Sequence, residues 1–110
     1  MTADQIIKPE AEVIKILLVE DSDFDAELVM LHLQQSNLPV EFHQVDNEPQ
    51  YLRALEQPFD LIISDWSLPN FSGLRALKLR NQLGIDIPFI INSGSIGEEA
   101  AVAAMQMGAA

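Results

Sequence analysis

The sequence predicts a doubly wound α/β fold, in which a parallel sheet carries helices on both faces. Two short apolar runs, at 15–21 and 59–65, have the composition of strands covered on both faces, and each ends abruptly in acidic residues. Along the whole chain, strand-like runs alternate four times with segments of helical periodicity. Parallel neighbours need crossover connections, so right-handed β-α units are expected throughout. The carboxyl ends of the strands then share one edge, where open α/β sheets place their ligands.

Length and composition narrow the class of protein. With 110 residues, the chain is expected to form one domain. Seventeen acidic against six basic residues give a net charge of −11, which argues against binding of nucleic acid or anionic lipid by this domain. Cysteine is absent, so disulfides and thiolate metal sites are excluded. The sequence has neither a signal peptide nor an apolar run long enough to span a bilayer, and a cytoplasmic location is expected.

The first quarter of the chain predicts a leader, a strand and a helix. Residues 1–12 are polar and aperiodic, which is typical of a loose leader before a domain over 13–110. The first strand, KILLVED at 15–21, ends in adjacent acids. Ser22 or Asp23 can cap the helix that follows. The apolar positions of this helix recur with helical spacing and are expected to face the core: Phe24, Leu28, Val29, Leu31 and Leu33.

The middle of the chain predicts an edge strand, a short helix and the central strand. VEFHQV at 40–45 mixes polar and apolar residues, as strands near a sheet edge do. Asp46 or Asn47 can cap a short helix that Pro58 ends. The apolar run LIIS then forms the central strand and delivers Asp65 to the carboxyl edge of the sheet.

The last third predicts two more helices around a fourth strand. Ser72 can cap a helix over 73–83, and Gly84 follows at a C-cap position. The expected inner face of this helix consists of Leu74, Ala76 and Leu77. PFIINS at 88–93 is the fourth strand, and the final helix begins near Glu98, where acidic residues favour the helix dipole.

Three predicted strand ends carry candidate functional groups, namely Glu20 with Asp21, then Asp65, then Ser93. Any one acid could be a helix cap or a loop charge, but their joint placement at one edge favours a site. If the carboxylates of Asp21 and Asp65 lie about 5 Å apart, their repulsion costs about 3 kcal/mol, which a cation would remove. Carboxylates and water are the ligands that Mg²⁺ prefers. The strand ends therefore predict a Mg²⁺ site, whereas the thiolates and imidazoles of a zinc site are missing there.

The loop after the first strand disfavours the common nucleotide-binding folds. Rossmann and P-loop proteins place glycines at this point, so that backbone N–H groups and a helix N-terminus can bind phosphate. Here Glu20 and Asp21 would repel a phosphate group instead. Cofactor binding of the flavodoxin kind through this loop is disfavoured for the same reason.

Taken together, these residues resemble the receiver domain of two-component response regulators. The motifs that match are the acidic pair after KILLV, Asp65 after DLIIS, the spacing D-x-x-x-P-x-x-x-G that includes Pro69 and Gly73, and Ser93 after PFIIN. The resemblance extends from about Ile14 to the end of the chain. It implies a flavodoxin-like sheet with strand order 2-1-3-4-5.

The resemblance also implies a chemistry for these residues. Asp65 would accept a phosphoryl group from the phosphohistidine of a histidine kinase or a phosphotransfer protein. Mg²⁺ would be held by Asp21, Asp65 and the backbone carbonyl of Ser67, and Glu20 would act through water. Ser93 would hydrogen-bond the attached phosphoryl group, and its movement would switch a protein-interaction surface. The output domain would lie outside this chain.

The chain departs from the family pattern at its C-terminus. The family's fifth strand and its lysine have no counterpart before Ala110, and Lys15 and Lys78 lie on the wrong elements. The expected strand order is therefore 2-1-3-4 with the fifth strand missing, so that 13–110 is an incomplete receiver-like domain. The apolar fourth strand would become an exposed edge, and a homodimer through this edge or the last helix is expected. Phosphorylation of the chain is expected to be weak or absent.

Other interpretations remain open. Trp66 either packs laterally or screens the site from water and partners. A receiver-like interaction or dimerisation module that is not phosphorylated is the main alternative function. A metal-dependent hydrolase with an aspartate nucleophile is less favoured, because Ser67 occupies the place of a second acid. At most, self-phosphorylation and autodephosphorylation are expected, rather than multiple-turnover catalysis.

Overall fold

The fold is a four-stranded parallel sheet with four helices, as a computed structural model shows for residues 13–92 and 97–110. The predicted leader and Ser93 lie outside these described residues. The strands are β1 Ile14–Val19, β2 Val40–Val45, β3 Leu61–Ser64 and β4 Phe89–Ile91. The helices are α1 Asp23–Gln34, α2 Glu48–Ala54, α3 Gly73–Gln82 and α4 Glu98–Gln106. The order β2-β1-β3-β4 confirms the predicted doubly wound fold.

The sheet separates two apolar clusters, because successive side chains of a strand point to opposite faces. On one face, Leu17 and Ile62 belong to the larger cluster, which includes residues of α2, α3 and α4. On the other face, Ile16 and Ile63 pack with residues of α1. In the described chain, no helix is both long and apolar enough to cross a membrane.

Helix α1 presents a different side to the sheet from the one predicted. Phe24, Leu28 and Leu31 are 70%, 41% and 52% exposed. Ala26 is buried, and three partly buried residues pack beside it: Val29, Met30 and Leu33. The prediction that the apolar positions face the core is thus wrong for Phe24, Leu28 and Leu31. It is right for Val29 and Leu33. The physical reason is that α1 carries two apolar stripes with the same helical period, and only packing of the small Ala26 against the sheet decides between them.

The predicted inner face of helix α3 is right for Ala76 and Leu77 and wrong for Leu74. Its buried residues are Gly73, Ala76, Leu77 and Leu79, whereas Leu74, predicted to face inwards, is 36% exposed. Three of the buried positions follow the i, i+3, i+4 pattern of one helix face, which begins at Gly73. The helix is capped as predicted, since Ser72 Oγ accepts the Arg75 N–H.

The last two residues extend the sheet beyond β4. The Ala110 N–H donates to the Phe89 carbonyl at 2.8 Å, and the Ile91 N–H donates to the Ala110 carbonyl at 3.2 Å. Phe89 is fully buried, and it pairs with Ala109 in a parallel bridge. The prediction of an exposed fourth-strand edge is therefore wrong for Phe89 and Ile91. The chain turns back after α4, and Ala110 forms hydrogen bonds with the backbone groups at this edge.

Candidate metal centre

Three carboxylates converge where β1 and β3 end side by side. Val19 and Ser64 are partners in the sheet register, and the Asp65 N–H donates to the Val19 carbonyl at 2.9 Å. The residues that follow these two strands are therefore neighbours. One carboxylate oxygen from each of Glu20, Asp21 and Asp65 lies within 4.8 Å of the others. The structure thus brings together the three acids that the strand ends predicted.

Glu20 is the most enclosed of the three acids, with 3% of its surface exposed. Burial raises the pKa of its carboxyl, because a charge loses solvation there. A hydrogen bond from the Ser22 N–H at 3.2 Å lowers the pKa, and the neighbouring charge of Asp65 raises it further. The net effect is a raised pKa, so the ionised form of Glu20 is costly in the folded chain unless a cation is nearby.

A Glu20→Gln substitution is therefore expected to stabilise the metal-free chain at pH 7. A carboxyl whose pKa is higher folded than unfolded binds protons more readily in the folded state, so its contribution to stability falls as pH rises above its unfolded pKa. Glutamine removes this loss, and the melting temperature measured in EDTA should rise by about 3–6 °C at pH 7 and less at pH 5. Mg²⁺ should reduce the difference between the two proteins.

The matched control for this prediction is Glu27→Gln on the exposed side of α1, which should leave the melting temperature almost unchanged. A Glu20→Gln protein that melts below the wild type in EDTA at pH 7 would contradict the assignment of an unfavourable buried charge.

Asp65 is half-buried, and hydrogen bonds fix its orientation. Its carboxylate Oδ1 accepts the backbone N–H of Trp66 at 2.7 Å. Its backbone carbonyl accepts the hydroxyl of the buried Ser64 at 2.8 Å. One carboxylate oxygen of Asp65 is thus held by the adjacent backbone, while the other has no hydrogen bond from the described residues.

The loop after Asp65 folds compactly against the larger apolar cluster. Trp66 is partly buried and packs against this cluster, in agreement with lateral packing. Leu68 and Phe71 are buried, and the Gly73 N–H donates to the Trp66 carbonyl at 3.1 Å. The exposed Ser67, whose backbone carbonyl was predicted to bind metal, lies within this loop.

Gln44 is a residue at the site that the sequence interpretation missed. Its side-chain amide donates to the Glu20 carbonyl at 2.9 Å and to Asp23 Oδ1 at 3.2 Å. It therefore ties β2 to the start of α1. The polar and apolar alternation of VEFHQV was the available signal, since it placed Gln44 on the same face of β2 as Phe42.

The lysines lie where the sequence interpretation placed them. Lys15 is near the start of β1, where its backbone N–H donates to Asp60 Oδ2 at 2.8 Å. That contact is at the opposite end of the sheet from the three acids. Lys78 is exposed in the middle of α3.

Comparison with known proteins identifies relatives over most of the chain. The family model described as the response regulator receiver domain matches residues 16–110. The phosphate regulon transcriptional regulatory protein PhoB of Klebsiella pneumoniae is 36% identical over 99 residues, which cover 86% of this chain and 42% of that protein. PhoB of Escherichia coli is 34% identical with the same coverage. The chain thus spans about two-fifths of the length of these curated relatives.

Solved structures agree with the sequence matches. The signal receiver domain of a putative Luxo repressor protein from Vibrio parahaemolyticus superimposes with a TM-score of 0.77 at 31% identity, covering 87% of this chain and 73% of that chain. The crystal structure of FixJ-N superimposes with a TM-score of 0.73 at 26% identity, covering 87% of this chain and 76% of that chain.

Proposed function

Because the chain belongs to the response regulator receiver domain family, we propose that Asp65 accepts a phosphoryl group from the phosphohistidine of a histidine kinase or phosphotransfer protein. The observation that supports this most directly is the convergence of Glu20, Asp21 and Asp65 within 4.8 Å. We also propose that 13–110 is the receiver-like unit, that it acts in the cytoplasm and that its output domain lies outside this chain.

The proposed reaction transfers the phosphoryl group from nitrogen to oxygen. A carboxylate oxygen of Asp65 attacks phosphorus, an O–P bond forms, the N–P bond breaks, and the electron pair leaves with the histidine imidazole. Since Oδ1 of Asp65 is held by the Trp66 N–H, Oδ2 is the oxygen proposed to attack. Holding the nucleophile in one orientation contributes to the rate, because phosphoryl transfer depends largely on positioning and charge stabilisation.

The donor groups at the site fit Mg²⁺, since they are all oxygens and two of the carboxylates are accessible to solvent. Asp21, Asp65 and the backbone carbonyl of Ser67 would hold the ion, and Glu20 would act through water. When bound, Mg²⁺ would offset the repulsion among the acids and the negative charge of the phosphoryl oxygens. The convergence of the three carboxylates within 4.8 Å supports this, because negative charges at that distance repel one another unless a cation lies among them.

The switch is proposed to involve Ser93 and the helix that follows it. Ser93 would donate a hydrogen bond to the attached phosphoryl group, which favours one of two conformations. Helix α4 is suited to such a change, because its N-cap residue is Gly97, which has no side chain to form a capping hydrogen bond. Val102 and Met105 of α4 are more than half exposed, and they are proposed to contribute to the surface that a partner, including a second copy of the chain, would contact.

We expect acetyl phosphate and Mg²⁺ to phosphorylate the chain slowly, with one phosphoryl group per chain detected by intact-protein mass spectrometry. EDTA should prevent the labelling, because the acidic site would then repel the donor. A lysine beside the acids would help to stabilise the negative charge of the phosphoryl group. Neither Lys15 nor Lys78 lies there, so slow labelling is expected.

An unphosphorylated interaction module is the second candidate function, and the positions of these lysines are the observation in its favour. If neither this chain nor a longer form with a fifth-strand lysine were labelled, the interaction module would be favoured. Repeated turnover of a phosphate ester would instead indicate a hydrolase.

A further inference from the structure

One peptide group connects the candidate phosphoacceptor to its surroundings. The peptide bond between Asp65 and Trp66 uses its N–H to hold Asp65 Oδ1 at 2.7 Å, and its carbonyl oxygen accepts the Ser64 hydroxyl at 2.8 Å. These atoms belong to a single planar unit. Any rotation of this unit that moves the carbonyl therefore also moves the N–H that orients the carboxylate.

Gly73 approaches the same peptide group from the start of α3. A Cβ atom at position 73 would lie 2.6 Å from the Asp65 carbonyl oxygen and 2.9 Å from Trp66 Cα, and also 2.9 Å from Trp66 Cε3. Two of these atoms are backbone, so a side-chain rotation cannot relieve the overlap. Among the described glycines, positive φ values occur at Gly84 and Gly108 and not at Gly73. Glycine is thus needed at position 73 for space and not for a left-handed backbone.

We propose that Gly73 and Ser64 are positioning residues for Asp65. Ser64 holds the carbonyl of the Asp65–Trp66 peptide by a hydrogen bond, and Gly73 leaves the space in which this peptide lies. The N–H of the peptide then binds Oδ1 of Asp65 and keeps Oδ2 directed away from it. The inference deepens the proposed function, because the oriented carboxylate is both the proposed phosphoacceptor and a proposed Mg²⁺ ligand.

A Gly73→Ala substitution tests the inference against a purely structural role. The added Cβ should displace the Asp65–Trp66 peptide, weaken Mg²⁺ affinity about tenfold or more, and slow phosphorylation. Mg²⁺ affinity can be followed by the fluorescence of Trp66, the single tryptophan. The backbone amide proton resonance of Trp66, measured without metal, should shift upfield as its hydrogen bond to the carboxylate lengthens.

The matched control is Gly84→Ala, which follows the other end of the same helix. Gly84 has φ +69°, and a Cβ there would meet nothing within 4 Å. Alanine should lower the melting temperature through backbone strain while leaving the Mg²⁺ affinity and the Trp66 amide resonance as in the wild type. If Gly84→Ala caused the same losses as Gly73→Ala, general destabilisation would explain both, and the inference would be overturned.

Ser64→Ala provides a second test that adds no bulk and applies even if Gly73→Ala does not fold. Loss of its hydroxyl should weaken Mg²⁺ affinity several-fold and shift the Trp66 amide in the same direction. Unchanged affinity and resonance in both site variants, or in Ser64→Ala alone when Gly73→Ala is unfolded, would overturn the inference. A wild type that binds Mg²⁺ but is never phosphorylated would refute the proposed phosphotransfer only, whereas one that binds no Mg²⁺ would refute both.

Discussion

Asp65→Asn is expected to abolish phosphorylation by acetyl phosphate or a phosphohistidine donor. The asparagine amide has almost the same shape as the carboxylate, but its neutral oxygen is a poor nucleophile and a weaker Mg²⁺ ligand. Loss of the attacking group should lower the labelling rate by at least about a thousandfold. Intact-protein mass spectrometry after incubation with Mg²⁺ and donor would measure the loss, with peptide mapping to locate any label that the wild type acquires.

The control for this variant is Asp60→Asn, which makes the same chemical change at the opposite end of β3. The carboxylate of Asp60 accepts the backbone N–H of Lys15 and is remote from the acid cluster. Its replacement should leave phosphorylation unchanged. Asp65→Asn should also remain folded, because it removes one negative charge from a cluster of three. Labelling of Asp65→Asn at the wild-type rate would show that another residue accepts the phosphoryl group.

The sequence was sufficient to predict the acid cluster because the cluster follows from strand ends. A covered parallel strand is visible as a short apolar run, and the residue after it must reach the carboxyl edge of the sheet. Glu20, Asp21 and Asp65 were therefore predicted together, and the family resemblance added the order of the strands. The fold needed no knowledge of side-chain contacts.

The inward faces of the helices were harder to predict, because helical spacing does not state which of two apolar stripes is buried. In α1, the stripe of Phe24 and Leu28 has the same period as the stripe of Val29 and Leu33. The choice depends on packing against the sheet, which a single sequence does not show. The stripe of Phe24 and Leu28 is the one that stays exposed.

The contacts that orient the site were also beyond a local interpretation of the sequence. Gln44 reaches Glu20 across 24 positions of the chain, and Gly73 contacts the Asp65–Trp66 peptide through a compact loop. Sequence spacing showed that a glycine follows Asp65 at a fixed distance, but not that a single added carbon would meet the backbone beside the carboxylate. Such tertiary distances come only from the structure.

Leu77→Ala is expected to be among the most destabilising substitutions in the chain. Leu77 is fully buried in the larger apolar cluster, where truncation to alanine leaves a cavity and typically costs about 2–5 kcal/mol. Domains of this size are stable by only about 5–15 kcal/mol. Urea denaturation followed by circular dichroism should therefore show a large fall in the midpoint with little change in slope.

Leu74→Ala is the matched comparison, because it makes the same truncation one helical turn earlier in α3. Leu74 is 36% exposed, so part of its side chain contacts water in the folded state and less apolar area is lost. Its cost should stay below about 1.5 kcal/mol. Helical spacing alone predicts equal costs for the two leucines, whereas the burial of Leu77 and the partial exposure of Leu74 predict a clear difference. Equal losses would contradict this difference in burial. They would also contradict the orientation of α3 that brings Gly73 close to the Asp65–Trp66 peptide.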